Sequence, residues 1–161
     1  MENIKFMTSL LTFYLKGEIS VDDKTVKLKN PNTILGLIPL GFYKRSIPVT
    51  QISTVEESFK LKFKSFLIGL IITFGGFSCF SSSIGGGIIF SLLGIGILLG
   101  SFESILLLSL TSGKTETASF FIFEKNKALQ AEELINNTIS GRLDDTNVTK
   151  NTDRVVDAMK S

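Results

Sequence analysis

Residues 65–102 contain no charged side chain, while all 17 Lys/Arg and all 15 Asp/Glu lie in 1–64 or 103–161. An uncharged, mostly apolar run of this length constrains the fold more than any other feature of the chain. The apolar core of a bilayer takes about 20 helical residues per crossing, so the run has room for nearly two crossings and a tight turn. The turn belongs near its middle, where residues 78–87 read Ser-Cys-Phe-Ser-Ser-Ser-Ile-Gly-Gly-Gly. The pattern therefore predicts a transmembrane helical hairpin at 65–102, with helices at about 66–80 and 88–102. Both are slightly short for a full crossing. A re-entrant hairpin and a buried soluble hairpin are the other arrangements the pattern allows.

Glycine is dense in this run. Gly94, Gly96 and Gly100 line the second helix, and Gly96 and Gly100 form a GxxxG pair. Small residues at that spacing let helices approach closely, so these three are candidates for packing within the hairpin or between copies of the chain. Lys60, Lys62 and Lys64 stand just before the first helix, and the central turn is uncharged. The positive-inside rule then predicts an integral, two-pass cell-membrane protein with both termini cytoplasmic. No charge lies at membrane depth, so an ion or proton pathway lacks its usual residues. Residues 1–15 lack an apolar segment with a cleavage signal, and no signal peptide is expected.

Composition narrows the chemistry. The net charge of +2 gives no reason to expect a nucleic-acid partner. Histidine is absent and Cys79 is the single cysteine. That set excludes Ser-His-Asp and Cys-His centres and leaves no basis for a zinc site. Gly85-Gly86-Gly87 has no lysine nearby and is not a phosphate loop. Glu56-Glu57 would point to opposite faces of a strand, which rules out an acid–base pair there. No catalytic residue, cofactor or metal is expected, and the chain is read as non-enzymatic.

The flanking segments read as strands. Residues 11–16 are rich in β-formers. Residues 19–21 and 25–29 flank a turn at Asp22-Asp23-Lys24, and Val26 and Leu28 alternate with Lys27 and Lys29. Asn30-Pro31-Asn32 should end that run, and residues 33–41 should be a loop able to touch a membrane surface. Further strands are expected at 42–47, 52–55 and 59–64, then at 104–110 and 117–123 after the apolar run. Pairing 59–64 with 104–110 antiparallel would let the helical hairpin replace a β-turn. A helix follows, with Ala128, Leu129, Leu134, Ile135 and Ile139 at helical spacing and Gly141 placed as its C-cap. The domain organisation expected is one domain from 1–64 plus 103–141, the hairpin at 65–102, and a flexible polar tail at 142–161.

Two short segments resemble bacterial pleckstrin-homology-like domains. Residues 47–55, Ile-Pro-Val-Thr-Gln-Ile-Ser-Thr-Val, are similar to a segment that leads into a strand in that family. Residues 108–114, Leu-Ser-Leu-Thr-Ser-Gly-Lys, followed by Phe120-Phe121-Ile122-Phe123 and a helix, resemble its last hairpin and terminal helix. The resemblance implies an α+β fold: a bent antiparallel β-sheet of seven strands with a C-terminal capping helix, interrupted here by the transmembrane hairpin. It also implies a scaffold or interaction module, with membrane lipids and a protein partner or a second copy as partners. Lys24, Lys27, Lys29, Lys44 and Arg45 are then candidate lipid head-group contacts, as are Lys60, Lys62 and Lys64 beside the apolar run. The rival expectations are a small accessory subunit of a membrane transport or secretion complex, and an anionic-lipid-binding module.

Overall fold

The computed structural model describes residues 2–145 and residue 152. The chain forms β1 (Glu2–Met7), β2 (Lys16–Val21), β3 (Thr25–Ile34), β4 (Ile38–Pro48), β5 (Ile52–Leu61), α1 (Phe63–Cys79), α2 (Ile84–Leu99), β6 (Phe102–Leu110), β7 (Thr115–Phe121) and α3 (Lys125–Asp145). The strands make two antiparallel sheets, in the orders β1-β2-β3-β4 and β5-β6-β7. This α+β arrangement corrects the single bent sheet expected from the sequence.

The period-2 pattern of β3 works as its residues dictate. Val26 and Leu28 are buried, while Lys27 and Lys29 take the other face. The inner faces of both sheets close on one core. Phe6 of β1 stacks on Phe120 of β7 with ring centroids 4.0 Å apart, and both are fully buried. Ile19, Leu28 and Ile47 come from one sheet, Leu106 and Leu108 from the other. Helix α3 adds Ala128, Ala131 and Ile135, three or four residues apart on one stripe. Alanine at two of these positions lets the helix backbone lie close to the sheets. Leu129, expected on that stripe, is exposed.

The transmembrane hairpin requires correction. Among the described residues, no helix is long and apolar enough to cross a membrane. Helix α1 has 17 residues and α2 has 16. At 1.5 Å per residue these span about 26 and 24 Å, against a core of about 30 Å. Counting uncharged residues overstates the helical length, because the turn at 80–83 and the segment from Gly100 onward take part of the run. The reading of an integral, two-pass cell-membrane protein with cytoplasmic termini falls with it. Gly85, Gly86 and Gly87, expected in the turn, lie inside α2, which starts where the Ser83 hydroxyl accepts a hydrogen bond from the Gly86 amide.

Other local expectations also change. Residues 11–14 form a turn, not a strand, and β1 lies upstream of them. Strand β3 continues through Asn30-Pro31-Asn32. Its pairing with β2 stops at Lys29, so the missing N–H of Pro31 interrupts no ladder on that side. Residues 33–41 complete a β-hairpin whose tip, Leu35-Gly36, has φ of 53° and 70°. Positive φ at both central residues is the type I′ geometry. Helix α3 passes through Gly141, so that glycine is not its cap. Of the tail expected at 142–161, residues 142–145 belong to α3, and from 146 onward all but residue 152 lie outside the described residues.

The pairing of β5 with β6 places the hairpin. Phe59 faces Ser104, Lys60 faces Glu103 and Leu61 faces Phe102. Lys62 then ends the ladder and begins the helix. Its N–H donates to the Ser101 carbonyl at 2.9 Å, and its own carbonyl accepts from the Phe66 amide at 2.9 Å. The helices leave the sheet with no linker on the β5 side.

Candidate functional site

Helices α1 and α2 pack inside out. Their buried positions are Gly69 and Gly76 on α1, and Gly87, Ser91, Gly94, Gly96 and Ile97 on α2. All but Ile97 are glycine or serine. A Cβ on Gly69 would lie 2.8 Å from the Leu98 amide nitrogen, and one on Gly76 would lie 2.5 Å from that of Ser91. The bulky side chains turn away: Leu67, Ile71, Phe74 and Phe77 on α1, and Ile88, Ile89, Leu92 and Ile95 on α2, are exposed. A helix pair that hides its small residues and presents large apolar ones outward leaves an apolar surface far larger than scattered exposed residues account for.

The three glycines expected to pack within the hairpin or between copies of the chain all face this chain. Gly94 lies against Thr73, Gly96 against the Leu11 side chain, and Gly100 near the Ser9 hydroxyl. Gly96 and Gly100 thus seat the β1–β2 loop on the root of the hairpin. The helix–helix contact itself is carried by Gly69 and Gly76, and by Gly87 and Gly94. Each pair is spaced seven apart, a signal present in the sequence that the GxxxG search passes over.

The apolar surface continues onto the domain. The β1–β2 loop carries exposed Leu10, Phe13 and Tyr14, and the β3–β4 hairpin carries exposed Ile34, Ile38 and Leu40. These two elements touch where the Ser9 hydroxyl donates to the Gly36 carbonyl at 3.1 Å. Phe59, Leu61 and Phe63 are exposed where β5 becomes α1, so the strict alternation at 59–63 does not mark a buried face. Together they form an apolar collar around the root of the hairpin.

The candidate cations separate. Lys60, Lys62 and Lys64 are all exposed at the hairpin root. Lys27, Lys29 and Lys44 share the outer face of the first sheet and line one shallow groove with Asn3, Glu18 and Ser20. Lys29 stands directly across from Lys44 on β4 and from Glu18 on β2, so an acid on the same face offsets the like-charge pair. Lys29 also lies 4.6 Å from the ring centroid of Phe42, where the basic face meets the apolar collar. Arg45 lines the groove too but is paired with Glu116 at 3.0 Å. Lys24 is apart from the rest: it sits in the β2–β3 turn at the opposite end of the sheet, beside Asn137 and Arg142 of α3.

One group was not expected from the sequence. Glu103, in β6, is 1 % exposed, and the Lys62 ammonium rests on its carboxylate. Burial raises the carboxyl above its ordinary value; Lys62, Lys60 and the Ser119 hydroxyl oppose that shift without cancelling it. Glu103, Lys62 and Ser119 line a polar cleft of about 200 Å³ with Thr8, Ser9, Asn30, Asn32 and Thr33. Lying between the hairpin root, the β1–β2 loop and the β3–β4 hairpin, the cleft opens among the collar residues. The only hint of it in the sequence is an acidic residue placed directly after the apolar run.

Among the described residues, no three His, Cys, Asp or Glu side chains are grouped to hold a metal ion. No protein-family model, curated protein or solved structure matches this chain.

Proposed function

We propose that this chain is a non-enzymatic lipid-surface module of pleckstrin-homology-like architecture. Its helical hairpin dips into the apolar layer and returns without crossing it. The supporting observation is the inside-out hairpin, whose buried positions are nearly all glycine or serine while its large apolar side chains point outward. A protein partner needs one apolar face, whereas exposure around both helices fits a surrounding apolar solvent. The collar and the lysines at the root extend this to an interface: apolar residues level with the lipid boundary, and ammonium groups level with anionic head groups. The direct strand-to-helix junction at Lys62 would hold the sheets flush to that surface. Seven antiparallel strands with a helix after the last one support the family resemblance, although they form two sheets and not one.

Vesicle flotation with the full chain tests this reading. Partition onto vesicles is expected, stronger with anionic lipid present and weakened by salt. Replacing Lys60, Lys64 and Lys29 by Ala should cost about 1 kcal/mol per residue on anionic vesicles. A chain that stays with the aqueous fraction, or that forms a defined homo-oligomer and ignores vesicles, would overturn it.

A further inference from the structure

The hairpin and its collar differ in width. Glycines meet the facing helix along the α1–α2 contact: Gly69 lies against Leu98, Gly76 against Ser91 and Gly94 against Thr73. Backbones this close set the two axes about 8 Å apart, the short end for helix pairs. Below the collar the chain is therefore only two slim helices wide. At the root three further elements spread around them. The β1–β2 loop adds Phe13 and Tyr14, the β3–β4 hairpin adds Ile38 and Leu40, and the β5–α1 junction adds Phe59 and Phe63, each more than half exposed. The loop and the β3–β4 tip sit at the end of α2, where Leu11 covers Gly96 and the Ser9 hydroxyl reaches the Gly36 carbonyl. Phe59 and Phe63 flank the start of α1. The apolar outline thus tapers from root to turn. At the turn, the Ser78 and Ser81 hydroxyls donate to the Phe74 and Ser78 carbonyls, and the Ser83 hydroxyl accepts from the Gly86 amide. These internal bonds let the narrow end rest in an apolar layer without an outside partner.

We propose that the tapered hairpin is a membrane wedge, which prefers curved membrane to flat and at high coverage bends membrane convex toward the domain. The inference rests on the lipid-surface reading. A hairpin that enters and returns on one side adds more volume to the leaflet it enters than to the other. The collar adds its share at the boundary of head groups and acyl chains, the depth at which inserted apolar residues couple to curvature. Where the turn lies deepest, the section is two helices alone, against two helices and three further elements at the root. A leaflet already convex is loosened at the collar's depth and accepts it at lower cost.

The test floats the full chain with vesicles of one anionic composition, prepared at about 30 nm or about 200 nm across and matched in accessible lipid. Partition should be about fivefold stronger onto the small vesicles. At high coverage the large ones should carry tubules in electron micrographs. Phe13→Ser combined with Leu40→Ser narrows the collar and should erase the size preference while binding persists. Both side chains are exposed, so the unfolding midpoint should hold. Ile71→Ser, lower on the hairpin, should weaken binding to both sizes alike and keep their ratio. Binding to neither size sinks the lipid-surface reading and the wedge with it. Equal binding to both sizes without tubules keeps that reading and overturns the wedge alone. A size preference that survives the collar substitutions also overturns it, because the taper would then play no part.

Discussion

The ammonium of Lys62 rests on the carboxylate of Glu103 where β5 hands over to α1, joining a largely exposed cation to a 1 % exposed acid. Their unequal burial makes the two halves of the pair behave differently. Removing Lys62 leaves a buried carboxylate uncompensated, whereas removing the charge of Glu103 leaves a lysine that water can solvate. Lys62→Met should therefore lower stability by about 1–3 kcal/mol, less than for a fully buried pair. Glu103→Gln should be close to neutral. Urea unfolding in micelles measures both, and the reverse order would refute the assignment.

The same acid sets a pH dependence. Its folded carboxyl titrates above the ordinary value because burial disfavours the charged form. The stability it contributes is fully present below the unfolded pKa and is lost as pH rises through the folded one. Wild type should thus become more stable as pH falls from neutral toward the ordinary carboxylate range. Glu103→Gln should flatten that slope and match or exceed wild type at neutral pH. Unfolding midpoints for both proteins across that range decide it; parallel slopes would place the titration elsewhere.

Adjacent glycines on α1 should respond in opposite ways. A Cβ on Gly75 meets nothing within 4 Å, while one on Gly76 meets the Ser91 backbone. Gly75→Ala should stabilise by about 0.5–1 kcal/mol through helix propensity. Gly76→Ala must push the helices apart and should destabilise by about 1–3 kcal/mol. Thermal melts followed by circular dichroism would show the split, and equal effects would mean that the two helices do not pack as described.

Strict local periodicity was legible in the sequence, and tertiary decisions were not. The alternation at Val26–Lys29 follows from its period-2 pattern, the turn at Asp22–Lys24 from its residue types, and the antiparallel pairing of Phe59 with Ser104 from strand-like segments on both sides of the apolar run. The segment at 11–16 misled because β-forming composition cannot reveal that Leu11 is needed against Gly96 and that Thr12 is fully buried. β1 passed unnoticed although Ile4 and Phe6 alternate with Asn3 and Lys5. Its one glutamate and one lysine mask a strand whose Phe6 belongs to the core. Of the candidate site, the lysines were visible as a class. Which of them share a face depends on register, so Lys29 opposite Lys44 and the isolation of Lys24 emerge only from the fold. The cleft joins residues from 8 to 119, and no local pattern encodes it.

Leu35 occupies a position that its residue type does not favour. At φ 53° it precedes Gly36 in the tip of the β3–β4 hairpin, where Asn-Gly is the preferred pair. Leu35→Asn should raise stability by about 1 kcal/mol, the lower end of the cost of a non-glycine residue in that region. Leucine there is 37 % exposed and follows Ile34 of the collar directly. The same change should weaken vesicle partition, so stability and binding should move in opposite directions. If both rise together, the collar does not meet lipid.

The outward side chains of α1 separate folding from binding most cleanly. Ile71 is 68 % and Phe74 65 % exposed, and neither belongs to the domain core. In water they contribute little to folding, so Ile71→Ser and Phe74→Ser should leave the unfolding midpoint within about 0.5 kcal/mol. In lipid each would be buried, and burial of a large apolar side chain is worth about 1.5–3 kcal/mol. Each substitution should then reduce partition onto vesicles by about tenfold or more. The hydroxyl added by serine deepens the loss, because the apolar layer offers it no partner. Flotation and unfolding on the same preparations give both numbers. A fall in stability with unchanged partition would mean that these side chains pack within the chain and do not meet lipid, and would overturn the reading.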